Sequence, residues 1–256
     1  MNAAWQVFFD ELACWREAGR QADFWWRDDD ASGPDPALAR LTALAQSAQV
    51  PLALAVIPES AQAAIFDPAN TMVSALQHGA GHHNLAAPGE KKTEFPVAEP
   101  VEDALARLAN AQVLLAAAAG DRALLVLVPP WNRIASPRLV ARLAGVGYCG
   151  LSTFGPRRSA WAAPGLVLVN THVDIIDWRG SRGFVGEELA LAQATQHLQA
   201  RRSGQCDATE PTGWLTHHAV HDAPAWAFLA LLFERTRDHD GLAWRSAASL
   251  FRPPSA

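Results

Sequence analysis

Five short stretches of this 256-residue chain gather the side chains that carry acid–base and metal chemistry. They are Asp28-Asp29-Asp30, His78-Gly79-Ala80-Gly81-His82-His83, Pro129-Pro130-Trp131-Asn132-Arg133, Asn170 to Trp178 with His172, Asp174 and Asp177, and Leu215 to Asp222 with His217, His218 and His221. Seven of the nine histidines fall in three of them. Adjacent carboxylates repel, so a run of three is tolerable beside a cation, where one can bind the ion while its neighbour works as a base. Two histidines four apart with glycines between them disfavour a helix, and a tight loop can fold both imidazoles onto one point. With one carboxylate they make the two-histidine, one-carboxylate set of a catalytic divalent metal, which leaves positions open for water and substrate. His83 is an alternative to His82 in that set.

The elements around these stretches form a regular alternation. Short β-favouring or apolar runs occur at residues 23–27, 51–57, 72–77, 123–128, 147–151, 166–169 and 213–216, separated mostly by helical patterns such as 36–49, 99–119, 186–201 and 223–237. About seven strands alternating with helices predict one α/β domain with a parallel sheet, and the polar stretches fall just after predicted strands. Active sites of barrels sit at the C-terminal ends of the strands, so a closed or nearly closed barrel is expected over an open sheet. The domain is expected to span 1–256, with an N-terminal helix over 1–20 and the barrel over about 23–237.

Composition removes several classes of function. The net charge of −5 is spread along the chain without a basic stripe, so nucleic acid is not an expected partner. Three cysteines far apart, with no CxxC spacing, predict neither a disulfide framework nor a thiolate zinc site. No run of 18 apolar residues predicts a membrane span, and Asp10 and Glu11 stand where a signal peptide would be apolar. A cytoplasmic location is the resulting expectation.

Taken together and in order, the five stretches resemble the motifs of the polysaccharide deacetylase superfamily, the NodB-homology enzymes of carbohydrate esterase family four. The matching positions are Asp28-Asp29, His78 to His82, Pro129-Pro130-Trp131, Asp174 to Trp178, and Leu215-Thr216-His217. The resemblance implies a distorted (β/α)7 barrel and a divalent metal, most simply zinc, held by Asp29, His78 and His82. It also implies Asp28 as general base, His217 as general acid, and removal of an N-acetyl or related acyl group from an amino sugar or glycan. Asp174 is the carboxylate expected to favour the His217 imidazolium, and Trp131, Asn132, Asp177, Trp178 and His218 are expected to line the substrate.

Three departures from the family pattern bear on the site. Val128 stands where the family has the arginine that holds the base, and Arg133 or Arg27 is expected to bring that charge from another direction. Gly79 replaces a Ser or Thr whose hydroxyl steadies the metal loop. The third aspartate keeps a second pairing open, with Asp29 as base and Asp30 as ligand. Two other readings use the same residues: an amidohydrolase acting on a small molecule, and a non-catalytic carbohydrate-binding descendant.

Overall fold

The computed structural model describes residues 2–252; residue 1 and residues 253–256, at the two ends of the expected domain, lie outside the described residues. Ten strands are present among them: β1 (Ala22–Ala31), β2 (Leu52–Val56), β3 (Val73–His78), β4 (Ala123–Val128), β5 (Gly150–Leu151), β6 (Trp161–Ala163), β7 (Leu166–Leu168), β8 (Val173–Asp174), β9 (Thr212–Thr216) and β10 (Leu242–Trp244). The helices are α1 (Ala3–Glu17), α2 (Pro36–Ala48), α3 (Val101–Ala119), α4 (Pro137–Val140), α5 (Glu187–Ser203), α6 (Ala223–Thr236) and α7 (Ala247–Leu250).

One sheet runs β6-β7-β5-β4-β3-β2-β1-β9-β8, with β10 added beside the start of β1. Every pairing is parallel except β6 with β7. No ladder among the described residues joins β8 back to β6, so the sheet curls into a distorted (β/α)7 barrel that hydrogen bonds leave open on one side. The parallel strands are buried on both faces, which is why β2 reads as an unbroken apolar run, Leu-Ala-Leu-Ala-Val.

Two apolar clusters mark the two faces. Phe24, Trp26, Leu52, Leu54 and Val56 pack outward against helix residues such as Phe8, Leu41 and Phe233. Trp25, Ala53, Ala55, Leu76, Val126 and Val128 pack inside the curl, where Phe251 closes the bottom against Trp25. Alternation along β1 therefore sends Phe24 and Trp26 outward and Trp25 inward, and it extends to the charged residues that follow.

The structure departs from the sequence expectation in three places. β1 does not stop at Arg27 but runs through all three aspartates to Ala31. After Ser136 there is only one helical turn, followed by a 3-10 turn at Leu143–Val146, and the strand expected over 147–151 shortens to two residues. β6, β8 and β10 have two or three residues each, too short to show a period in the sequence. Among the described residues no helix is long and apolar enough to cross a membrane.

Candidate active site

A cleft of about 690 Å³ opens at the C-terminal end of the barrel, and Asp29, Asp30, His78, His82, Trp131, Asn132, Arg133, Asp174, Trp178 and His217 all line it. A second groove, about 580 Å³ along α2, holds no histidine and only Asp35 and Asp67 as titratable groups.

The three aspartates divide by the face each meets. Asp28 follows the outward parity of Trp26, is fully buried, and accepts hydrogen bonds from Thr216 Oγ1 (2.6 Å), His218 N (2.9 Å) and His218 Nδ1 (2.5 Å). It does not line the cleft where the general base was expected. Asp29 points inward with Arg27, and the two form a fork: Nε to Oδ1 at 2.8 Å and an Nη to Oδ2 at 2.9 Å. The same guanidinium donates to Asn132 Oδ1 (2.6 Å) and Ser152 Oγ (2.7 Å). Arg27 therefore makes the contact for which Val128 is unsuited, reaching Asp29 along its own strand. Arg133 does not; it lines the cleft and donates to the Lys92 carbonyl at 2.8 Å.

Asp30 would point outward with Asp28 if the strand were regular. Instead the β1–β2 register shifts between Asp28 and Ala31, and Asp30 takes a left-handed φ of 72°. This irregularity turns its carboxylate into the cleft, 3.2 Å from both His78 Nε2 and His82 Nε2. The three ligand atoms lie within 4.8 Å of one another. The first pairing put Asp29 beside the histidines; the carboxylate found there is Asp30, as in the second pairing, because the local bulge overrides the period of two. His83 is turned away, its side chain 71% exposed and 3.6 Å from Glu59.

The donor set fits a divalent metal. His78 Nδ1 lies 3.0 Å from the Val128 carbonyl, so that nitrogen carries the proton and Nε2 is left facing the cleft, the second-layer arrangement that orients metal-binding histidines. Burial opposes ionisation of both partners. Even so, hydrogen bonds from His78 and His82 hold the Asp30 carboxyl far below the carboxylate range, and the Asp30 hydrogen bond with the Asp29 and Asp30 charges raises His78. A metal must displace the proton so favoured on His78. Zinc affinity is expected to fall about tenfold per pH unit once His78 is protonated, measured by competition with a fluorescent chelator between about pH 8 and 6.

The loop between the histidines is held by a carboxylate in place of a hydroxyl. Glu94, buried, accepts from Ala80 N at 3.2 Å and Gly81 N at 3.0 Å. Gly79 has φ 62°, and a Cβ there would collide with Glu94 Oε2 and stand 2.8 Å from the Pro130 ring. Only glycine combines that backbone with Glu94 as the loop's anchor. Gly79→Ala is expected to cost roughly 2 kcal/mol or more in a denaturant titration and to weaken zinc binding in the same protein.

His217 faces the metal set from the end of β9. Its ring meets the edge of Trp178 at 4.7 Å, and its Nδ1 has no partner among the described residues. Trp178 donates Nε1–H to Asp174 at 2.8 Å, and burial raises the Asp174 carboxyl while the charge of nearby His217 opposes that rise. Trp131, at φ 55°, packs 4.6 Å from His82 on the opposite wall.

Two expected substrate residues lie elsewhere. Asp177 accepts from Gly180 N (3.0 Å) and Ser181 N (3.1 Å), pinning a turn. His218 lies outside the barrel between Asp28 and Asp35, and both carboxylates raise it against the effect of burial. Sequence reasoning named Arg27 only as one option and missed Glu94; the inward parity shared by Arg27 and Asp29 was the available signal.

A second group, His172, His197 and Glu210, also brings ligand atoms within 4.8 Å of one another but is wholly buried. The two rings stack at 3.5 Å, and burial pushes His172 down to about 3 and His197 down to about 2. Gly213 N–H donates to His172 Nδ1 at 3.0 Å, so Nε2 bears the hydrogen; Glu210 lies 3.4 Å away but makes no hydrogen bond with it, accepting instead from Arg157 N and Asn170 N. A nitrogen that must carry the hydrogen is not a metal ligand.

No family model matches the sequence, and no curated protein matches it. Solved structures do. A Mycobacterium smegmatis protein assigned as a polysaccharide deacetylase superposes with a TM-score of 0.63 at 16% identity, over 91% of this chain and 90% of its own. A family 4 acetyl xylan esterase from Clostridium thermocellum, in complex with a cobalt ion, gives 0.51 at 16% identity over 90% of both chains. A family 4 carbohydrate esterase from Streptomyces lividans, in complex with acetate, gives 0.51 at 14% identity over 87% of this chain and 90% of its own. The chain has the polysaccharide deacetylase fold.

Proposed function

We propose that this chain, as one catalytic domain over 1–256, is a metal-dependent hydrolase that removes an N-acetyl or related acyl group from an amino sugar. The observation that carries this reading is the convergence of Asp30, His78 and His82 beside an arginine-held Asp29, with His217 across the same cleft. Asp30, His78 and His82 would hold the ion, most simply zinc; when bound, it would polarise the acyl carbonyl and acidify a water. The cobalt ion in the Clostridium thermocellum esterase is in keeping with that assignment.

The protein's own groups have separate tasks. Asp29, fixed at both oxygens by Arg27, is the base that takes the proton of the attacking water. His217 gives a proton to the departing amine, its ring packed on Trp178, whose indole N–H is held by Asp174. Trp131 beside His82 and Trp178 beside His217 line the cleft through which the acyl group must approach.

The non-catalytic reading drew on Val128 at the family's arginine position, and the Arg27–Asp29 fork removes that ground. The test is acetate release from N-acetylglucosamine and its oligomers by zinc- and cobalt-loaded protein, run beside small amides with ammonia and formate detection. Acetate release lost with chelator and restored by metal supports the proposal. Turnover only of small amides would support the amidohydrolase reading instead.

A further inference from the structure

Four cations line the cleft: Lys92, Arg133, Arg179 and Arg182. None has a carboxylate within 4.0 Å among the described residues. The only carboxylates lining the same cleft are Asp29, Asp30 and Asp174, all at its catalytic floor, and Arg27 already neutralises Asp29 from below. A divalent ion on Asp30 would make the floor more positive still. A chain of net charge −5 thus lines this histidine-bearing cleft with unpaired cations.

The cations fall in two pairs. Arg133 Nη1 donates to the Lys92 carbonyl at 2.8 Å, and the Lys92 ammonium lies 5.9 Å from the Trp131 ring, on the metal side. Arg179 and Arg182 belong to the turn after Trp178, on the His217 side. Asp177 pins that turn through Gly180 N and Ser181 N, and its carbonyl accepts from Arg182 N at 2.9 Å. Arg182 is held at a left-handed φ of 58°. The two arginines therefore stand on a built turn directly after Trp178, whose ring packs on His217.

We infer that the substrate is anionic: a carboxylate or phosphate on the amine-bearing part of the acylated molecule, read by Arg179 and Arg182. This rests on the proposed hydrolysis for the placement of the leaving amine, but its recognition chemistry can be measured apart from turnover. Both residues are exposed where they line the cleft, and arginine forks match either oxyanion.

The experiment titrates metal-free protein with N-acetylglucosamine 6-phosphate, N-acetylmuramic acid and N-acetylglucosamine by calorimetry, then repeats the series on the Arg179→Gln/Arg182→Gln protein. At least one anionic sugar is expected to bind about tenfold or more tighter than the neutral one, and the preference is expected to shrink with salt and collapse in the double variant. The two anionic probes separate a phosphate site from a carboxylate site. Equal affinity for charged and neutral sugars, or a preference that survives both substitutions, overturns the inference. If the preference holds and no acylated probe is hydrolysed with metal present, the proposed reaction fails and the anion site stands. If neutral and charged sugars are hydrolysed equally and no anion is preferred in binding, the reaction stands and the anion site fails.

Discussion

Arg27→Gln is expected to lower deacylation by about 10²-fold or more. Arg27 is fully buried and makes its fork to Asp29 while also binding Asn132 and Ser152. Without it, both Asp29 oxygens lose the fork that fixes their direction, and the carboxylate is no longer held toward the attacking water. Removing one partner of a buried pair also costs about 3–5 kcal/mol of stability, so the loss of activity must be read on folded protein. Arg27→Lys keeps the charge but not the fork and should fall between the two. The Arg27→Gln/Asp29→Asn protein separates the effects: it should regain stability over Arg27→Gln, because no unpaired charge is left, and regain no activity. Near-normal rates in a folded Arg27→Gln protein would remove Arg27 from the mechanism.

His217→Ala is expected to slow amide cleavage by about 10²- to 10⁴-fold, the usual worth of a positioned general acid. Its signature is dependence on the leaving group. p-Nitrophenyl acetate expels a phenolate that needs no proton, so its hydrolysis should fall far less than that of an N-acetyl amine. The neighbouring histidine gives a contrast from the same strand end. His218 lies on the other face, bonded to buried Asp28, and His218→Ala should show itself in the unfolding midpoint, since Asp28 would lose the shortest of its three hydrogen bonds. Equal losses on both substrates in His217→Ala would assign His217 to binding or structure.

Much of this arrangement was legible in the chain. The order of the polar stretches after apolar runs predicted a parallel barrel with its cleft at the strand ends, and His78, His82, Trp131, Asp174, Trp178 and His217 all line that cleft. The aspartates were harder, for a physical reason. A strand's period of two should have sent Trp25, Arg27 and Asp29 to one face, but Phe24, Trp25 and Trp26 are apolar on both faces of a doubly covered strand and hide the period. Asp30 then breaks it through a bulge and a left-handed backbone, which no aspartate-rich run announces. Asp177 and His218 sat in the right stretches but serve the turn and the outer face. Glu94 acts on Ala80 and Gly81 across 14 and 13 residues, a contact set by the folded loop and without a local pattern.

Metal content decides the division of labour among the three aspartates. Asp28→Asn, Asp29→Asn and Asp30→Asn proteins, each confirmed as folded, would be loaded with zinc, passed through a desalting column and assayed for bound metal and for acetate release. Asp30→Asn is expected to lose its zinc, Asp29→Asn to keep about one equivalent with turnover abolished, and Asp28→Asn to keep metal at reduced stability. Zinc retained in Asp30→Asn and lost in Asp29→Asn would contradict that division.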